Sequence, residues 1–312
     1  MYNVFIDGSA GTTGLRIYDR LENRKDINLI TLPSEFRKDD AKRKEAINSA
    51  DIVFLCLPDD AARQAVGFLE NKNTCLIDTS TAHRTAHGWV YGFPELTGKR
   101  RQIANSKLIA NPGCHASGFI ALTAPLIEAK VLSKDVALTC FSVTGYSGGG
   151  KKMIADYEGE NPSPLLKAPR QYGLTQEHKH LREMQVISGI ETAPVFCPIV
   201  SNFYSGMEVT VPLFSKDVKA TKQDLENIYK EYYKTQVVKF CENADENGFL
   251  SAAAFSGKDS MEISVSGNAE RLILTARYDN LGKGASGAAI QNMNIIMGVN
   301  ETEGLVISKT DI

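Results

Sequence analysis

Short, wholly apolar runs alternate with helix-length segments through the first third of the chain, and this alternation constrains the fold more than any other feature. YNVFID leads into GSAGTTGLRIYDRLENR: a strand, a glycine loop, then a helix. INLITLP, DIVFLCLP, TCLIDTS and KLIANPGC read as further strands, with RKDDAKRKEAINSA and DDAARQAVGFLENK as helical stretches among them. A strand that is apolar at every residue must be covered on both faces, as in a parallel sheet flanked by helices. Residues 1–113 are therefore expected to form a Rossmann-type, doubly wound α/β domain that binds a dinucleotide.

The pattern changes after Cys114. VALTCFSVTGYSGGG, APVFCPIVSNFYSGMEVTVPLF, MEISVSGN and RLILTARYDN are strand-like with few helices between them, and ATKQDLENIYKEYYK is an amphipathic helix among them. This predicts a second, α+β domain over residues 114–283 with a mixed or antiparallel sheet. GASGAAIQNMNIIMGV reads as a last apolar helix, and residues 157–175 as the longest stretch without regular structure.

Of the 312 residues, 43% are hydrophobic and 23% charged, with a formal net charge of −2. That balance, with no long block of one sign, argues against a general nucleic-acid or membrane-surface binder. Six cysteines without a CxxC pair suggest reduced thiols rather than a disulfide scaffold or a zinc site, and no metal is expected. Tyr2 to Ile6 is already strand-like, so neither a signal peptide nor export is expected, and the cytoplasm is the expected location.

Gly8, Gly11 and Gly14 follow the first strand and open a helix. Glycine permits the tight turn and lets backbone N–H groups approach a pyrophosphate at the helix N-terminus, where Ala10, Thr12 and Thr13 also stand. The choice of cofactor is read after the second strand. Ser34, Arg37 and Lys38 suit a 2′-phosphate, whereas Glu35 suits a 2′-hydroxyl; the basic pair points to NADP.

Cys114 sits in ANPGC, a sharp turn running into an apolar helical segment. Most free cysteines are small buried hydrophobes. That reading serves Cys56, Cys75, Cys140 and Cys197, which lie in apolar strands. A thiol at a helix start on the ligand-binding edge of a doubly wound sheet is instead placed to act as a thiolate nucleophile. Such a nucleophile needs an acid–base partner, and EHKH offers His178 and His180; His83, His87 and His115 are weaker candidates. VTGYSGGGKKM offers an anion site from Gly145, Ser147, Gly148, Gly149 and Gly150, with Lys151 and Lys152 beside them. Arg84 and Arg170 are further candidates for substrate contact.

Together FIDGSAGTTGLRI, LPDDAARQAV, DTSTAHR, YGFPEL, ANPGC, GYSGGGKKMI, YGLTQEHKHLREM and NLGKGASGAAIQNMN resemble the shorter form of the N-acetyl-gamma-glutamyl-phosphate reductases, a family of arginine biosynthesis within the aspartate-semialdehyde dehydrogenase-like superfamily. The likeness runs in order from residue 4 to about residue 297. ANPGC alone is shared with aspartate-semialdehyde dehydrogenases.

The resemblance implies that Cys114 attacks the acyl phosphate of N-acetylglutamyl phosphate, releasing inorganic phosphate and leaving a thioester that NADPH reduces to the semialdehyde. His180 would be the acid–base group, with His178 the alternative. Ser147, Gly148 and Lys151 would lie near the phosphate or the oxyanion, with Asn111 and Arg84 also contacting substrate. Pro58 and Ser80 would join the cofactor site. The last helix, within 284–312, would complete the cofactor domain, with Gly284 and Gly287 against the nicotinamide. Residues 114–283 would carry catalysis and assembly into a dimer or tetramer. Many relatives follow the cysteine with Tyr-Pro-Thr; here His115, Ala116 and Ser117 follow it. Rival readings are a reductase of aspartyl or N-acetyl-aminoadipyl phosphate, and a non-catalytic NADP-sensing regulator.

Overall fold

A computed structural model describes residues 1–308. The chain divides into two compact units: Met1–Gly113 with Ala285–Leu305, and Cys114–Gly284 with residues 306–308.

The first unit contains β1 (Tyr2–Asp7), α1 (Thr12–Leu21), β2 (Ile27–Ile30), α2 (Asp40–Ser49), β3 (Ile52–Leu55), α3 (Asp59–Gly67), β4 (Cys75–Asp78), β5 (Val90–Tyr91), α4 (Lys99–Ala104) and β6 (Leu108–Ala110). Its six strands form one sheet in the order β2-β1-β3-β4-β6-β5, and every pairing is parallel. Successive residues of a strand point to opposite faces, so the apolar runs supply two cores. Val4, Ile6, Ile52, Phe54 and Ile77 pack with Ile17 and Leu21 of α1 on one face. Phe5, Val53, Leu55 and Leu76 pack with Ala46 and Ile47 of α2 on the other. The doubly wound arrangement follows from that two-sided burial.

The second unit contains α5 (Cys114–Glu128), β7 (Thr139–Gly145), α6 (Gly150–Glu158), β8 (Arg170–Gln171), α7 (His180–Ser188), β9 (Val195–Ser201), β10 (Met207–Phe214), α8 (Lys222–Tyr232), β11 (Val238–Phe240), β12 (Met261–Gly267) and β13 (Arg271–Tyr278). Its seven-stranded sheet, β11-β12-β13-β10-β7-β9-β8, is mixed: β11/β12 and β7/β9 are parallel and the remaining pairs antiparallel. α5 is buried almost all round, from His115 to Ile127, as expected of a helix without a polar face. It contains Pro125, which has no N–H to offer the carbonyl of Ala121. The Tyr233 hydroxyl fills that gap, donating to the Ala121 oxygen at 2.6 Å. The final helix, α9 (Gly287–Met297), returns to the first unit, where Ala289, Ile290 and Met293 join the core of α1.

Three sequence expectations are corrected. The segment 284–312 does not belong wholly to the first unit. Gly284 and residues 306–308 group with the second, where Val306 N–H donates to the Asp259 carboxylate at 2.8 Å; residues 309–312 lie outside the described chain. The stretch 157–175 is not structureless: α6 reaches Glu158, a 3-10 turn covers Pro164–Lys167, and β8 pairs antiparallel with β9. β8 is two residues long and α4 six, too short to show periodicity. Cys56 lies just beyond β3 rather than in it.

Candidate active site

Cys114 is the first residue of α5, half-buried, with no acidic residue in the first turn. The N–H groups of that turn favour negative charge beside it. Tyr278, at the end of β13, fixes the turn. Its hydroxyl accepts from Gly118 N–H at 3.0 Å and donates to the Cys114 carbonyl at 2.5 Å. Gly118 is what permits this approach, because a Cβ there would lie 2.7 Å from both the Tyr278 oxygen and Val209 Cγ2. Gly284 crowds Cys114 from a π-helical turn, Gly282–Ser286; a Cβ on it would stand 3.0 Å from Cys114 Cβ.

Three histidines gather beside this helix start. The His115 ring lies 5.7 Å from His178 and 5.6 Å from His180, and those two rings are 4.8 Å apart. His180 opens α7 and is buried, while His178 is half-buried. The His180 N–H donates to His178 Nδ1 at 3.2 Å. His115 is hydrogen-bonded through Nδ1 to Ser142 Oγ at 2.7 Å and through Nε2 to Tyr172 Oη at 2.6 Å. Burial, with His178 nearby, drives the His115 pKa down to about 3, so the ring is neutral at physiological pH.

The anion candidates lie in the same unit. Ser147 and Gly148 form a 3-10 turn after β7, and Lys151 stands in the exposed first turn of α6. Ser147 Oγ accepts from Asn280 Nδ2 at 3.0 Å, which leaves its own proton to donate. Arg170 lies on β8, where it donates to Tyr157 Oη at 3.1 Å.

In the first unit the glycine loop makes a backbone cradle. Gly8 has φ +90, and a Cβ on it would meet the Cys56 carbonyl oxygen at 2.3 Å; one on Gly14 would meet the Gly8 oxygen at 2.4 Å. α1 starts after Gly11 with no side-chain cap and no acid in its first turn, so its N–H groups are available to a phosphate. A cavity of about 370 Å³ beside it is lined by Gly8, Ala10, Ser34, Glu35, Arg37 and Lys38, among others. Thr12 and Thr13 open α1. The residues present therefore fit a dinucleotide whose adenosine end lies beside two cations. Below the cradle Asp7 is ion-paired with Arg43 at 2.9 Å, both nearly fully buried.

Other expected residues are committed elsewhere. Asn111 donates through Nδ2 to the Ala285 carbonyl at 2.9 Å and accepts from Asn292 at 3.2 Å. Arg84 donates to the carbonyls of Asn111 and Thr79 at 3.0 and 3.1 Å. These two brace the turn before the cysteine. Ser80 donates to Asp78 and accepts from Ala82 N–H, closing its own loop. His83 is hydrogen-bonded to Asp78 at 2.6 Å and stacks on Trp89, while His87 is exposed. Pro58 precedes α3 as its N-cap, and Gly287 opens α9. Tyr172, Ser142, Tyr278 and Asn280 were missed in the sequence; the signal for the last two was a polar DN pair closing an apolar strand.

The description "Semialdehyde dehydrogenase, NAD binding domain" matches residues 3–106, and "Semialdehyde dehydrogenase, dimerisation domain" matches residues 114–280. N-acetyl-gamma-glutamyl-phosphate reductase 2 of Nostoc sp. is 42% identical over 317 residues, covering 97% of this chain and 98% of its own. The N-acetyl-gamma-glutamyl-phosphate reductase of Brucella suis is 43% identical over 305 residues, covering 95% and 98%. The crystal structure of aspartate semialdehyde dehydrogenase II from Vibrio cholerae, complexed with ASA, shares the fold at a TM-score of 0.71 and 15% identity, covering 96% of this chain and 98% of that one. Matched along nearly its whole length, the chain belongs to the N-acetyl-gamma-glutamyl-phosphate reductase family of NADP-dependent oxidoreductases, within the semialdehyde dehydrogenases.

Proposed function

We propose that the protein reduces N-acetyl-L-glutamyl 5-phosphate to N-acetyl-L-glutamate 5-semialdehyde, releasing inorganic phosphate, as a step of arginine biosynthesis in the cytoplasm. The observation that carries the reading is a half-buried cysteine opening a buried helix beside clustered histidines, in a chain of this family. The Cys114 thiolate attacks the acyl carbon; the C–S bond forms, the C–O bond to phosphate breaks, and phosphate leaves with the electron pair. When bound, NADPH supplies hydride to the resulting thioester carbonyl. Collapse of the thiohemiacetal returns the thiolate and frees the aldehyde. The Gly148 N–H, the Ser147 hydroxyl and Lys151 stabilise phosphate or oxyanion, while the Ser147 N–H is held by the Tyr204 carbonyl at 3.0 Å. Gly8, Gly11, Gly14, Ser34, Arg37 and Lys38 hold the cofactor.

His180 is the acid–base group. His178 receives the His180 N–H on Nδ1, so in its neutral form the proton sits on Nε2. Such a ring donates to the site but does not accept there, which leaves the base role to His180. The protein works as a homo-oligomer. One face of the second sheet leaves Phe141, Phe214 and Ile273 exposed, as an interface would use.

The test is a reverse assay with N-acetylglutamate semialdehyde, phosphate and NADP⁺, run beside aspartate semialdehyde and NAD⁺. Phosphate-dependent NADPH formation with the acetylated substrate alone is the expected result. Activity restricted to aspartate semialdehyde would move the protein to the sister reaction, and NADP⁺ binding without any turnover would favour a sensor.

A further inference from the structure

We propose that Tyr172 is a hydrogen-bond donor to the reacting centre at Cys114, held in the donating sense by a Ser142–His115 chain beneath it. This rests on the reading of Cys114 as the nucleophile. The argument is a proton count along three side chains.

Ser142 is fully buried on β7, and among the described residues its hydroxyl has one hydrogen-bond partner, His115 Nδ1 at 2.7 Å. No water can reach a hydroxyl so enclosed, so its proton must go to that nitrogen or remain unsatisfied. His115 is neutral, with one donor and one acceptor nitrogen. If Nδ1 accepts from Ser142, the ring proton sits on Nε2 and is given to Tyr172 Oη, 2.6 Å away. Tyr172 therefore accepts from His115 and keeps its own O–H. Among the described residues that hydroxyl makes no other hydrogen bond, so its proton is free for a group arriving in the site. The opposite tautomer would strand the Ser142 proton and turn the Tyr172 proton inward.

Two observations place the donor beside the chemistry. His115 follows Cys114 in the first turn of α5, and Tyr172 is bonded to its ring. Burial pushes the Tyr172 hydroxyl well above the usual phenol range, and the neighbouring Cys114 thiolate pushes it further the same way. Tyr172 thus stays protonated, able to stabilise the thiolate or the oxyanion that follows it. His115 and Ser142 are positioning residues.

The first measurement is two-bond ¹⁵N–¹H correlation on histidine-labelled protein, with His115 assigned by the signals lost in His115→Gln. The expected ring is protonated on Nε2 and does not titrate between about pH 5 and 9. A ring protonated on Nδ1, or one titrating in that range, overturns the proposal.

The second is alkylation of Cys114 by iodoacetamide against pH, with Cys114→Ser supplying the background of the other thiols. Tyr172→Phe is expected to raise the midpoint by about one pH unit, the size of one hydrogen bond to a charged group. Ser142→Ala is expected to move it the same way by less. The other titratable groups nearby (His178, His180, Tyr278, the buried Glu183 that acts on Tyr278, and the buried Lys283 beside Gly284) are unchanged in these variants, so the shift isolates Tyr172. A Tyr172→Phe midpoint equal to that of the parent protein overturns the proposal. Neither experiment uses substrate, so failure to reduce the acetylated acyl phosphate would sink the proposed function and leave this result standing.

Discussion

Replacing Arg43 by methionine tests whether the glycine loop rests on a buried charge pair. Arg43 and Asp7 expose 7% and 4% of their side chains, so solvent screens the pair little. Arg43→Met keeps a stem to pack against Phe68, over which the guanidinium now sits at 5.3 Å, but leaves the Asp7 carboxylate buried without its cation. The carboxylate can escape that cost by taking a proton. At pH 7, protonating a carboxyl of ordinary pKa costs about 4 kcal/mol, which caps the loss. Asp7 already lies above its usual value of 3.8, because burial outweighs Arg43, so part of the cost is present in the parent protein. The expected loss is therefore about 3 kcal/mol at neutral pH.

The sign with pH follows from the raised value. A carboxyl whose folded pKa is raised gives its full stability below the unfolded pKa, and that stability fades as pH rises through the folded one. Loss of Arg43 raises the folded pKa further, so the deficit of Arg43→Met should shrink on acidification. At pH 5 the same cap is about 1.6 kcal/mol. Asp7→Asn should cost about 1 kcal/mol or less, because Arg43 keeps Asp40 at 3.1 Å. Urea unfolding of the three proteins at both pH values reads these differences. A loss under about 1 kcal/mol for Arg43→Met at neutral pH, or a deficit that does not shrink at pH 5, would refute the reasoning.

Three further outcomes are expected. His180→Asn should lower kcat by about 10²- to 10⁴-fold in the steady-state assay and His178→Asn by much less; the reverse order would exchange their roles. Arg37→Ala should raise KM for NADPH about 10-fold, more at low salt, with turnover of NADH unchanged. An equal effect on both cofactors would remove the 2′-phosphate from this cavity. Gly118→Ala places a methyl group 2.7 Å from both Tyr278 Oη and Val209 Cγ2. Overpacking of about 1–3 kcal/mol should exceed the gain of up to about 1 kcal/mol from removing a helical glycine. Thermal unfolding should show a lower Tm, with a fall in kcat as Tyr278 shifts; an unchanged Tm would contradict the packing.

The fold was legible wherever burial leaves a periodic trace. Ile52 to Leu55 are all buried and had to be a strand covered on both faces. Leu225 and Tyr229, one turn apart, mark the inner face of α8. β8 left no such trace, since two residues carry no period and its partner strand lies 30 positions on at the Arg170–Val200 pair. The place of Cys114 at the start of α5 was legible because an Asn-Pro-Gly turn entering an apolar helix is a local signal. Its polar neighbours were not. Tyr172 and Ser142 reach His115 from 57 and 27 residues away, and although Tyr172 opens the YGLTQEHKHLREM stretch, nothing local marks either as its partner. Distance in sequence hides the other direction too: Asn111 and Arg84 look like ligands in sequence, and each gives donors to backbone carbonyls that only the folded chain brings near.

How α5 is held explains why a cysteine can stand so exactingly at its start. A helix buried nearly all round gives the hydrophobic effect little direction, because every rotation about its axis buries similar surface. Rotation and register need directional contacts: the His115 and Thr123 side chains make some, and three tyrosines hold the helix backbone. Tyr278 bridges the Gly118 N–H and the Cys114 carbonyl in the first turn, while Tyr229 and Tyr233 donate to the carbonyls of Leu122 and Ala121 near Pro125. Burial raises Tyr229 and Tyr278 well above the usual phenol range, so both remain donors at any pH the enzyme meets. The helix is thus clamped by its own backbone at both Cys114 and Pro125, by groups that carry no charge and feel no salt. Changes that only trim apolar contacts should cost stability and leave Cys114 aimed, whereas removing the Tyr278 hydroxyl should disturb the aim first.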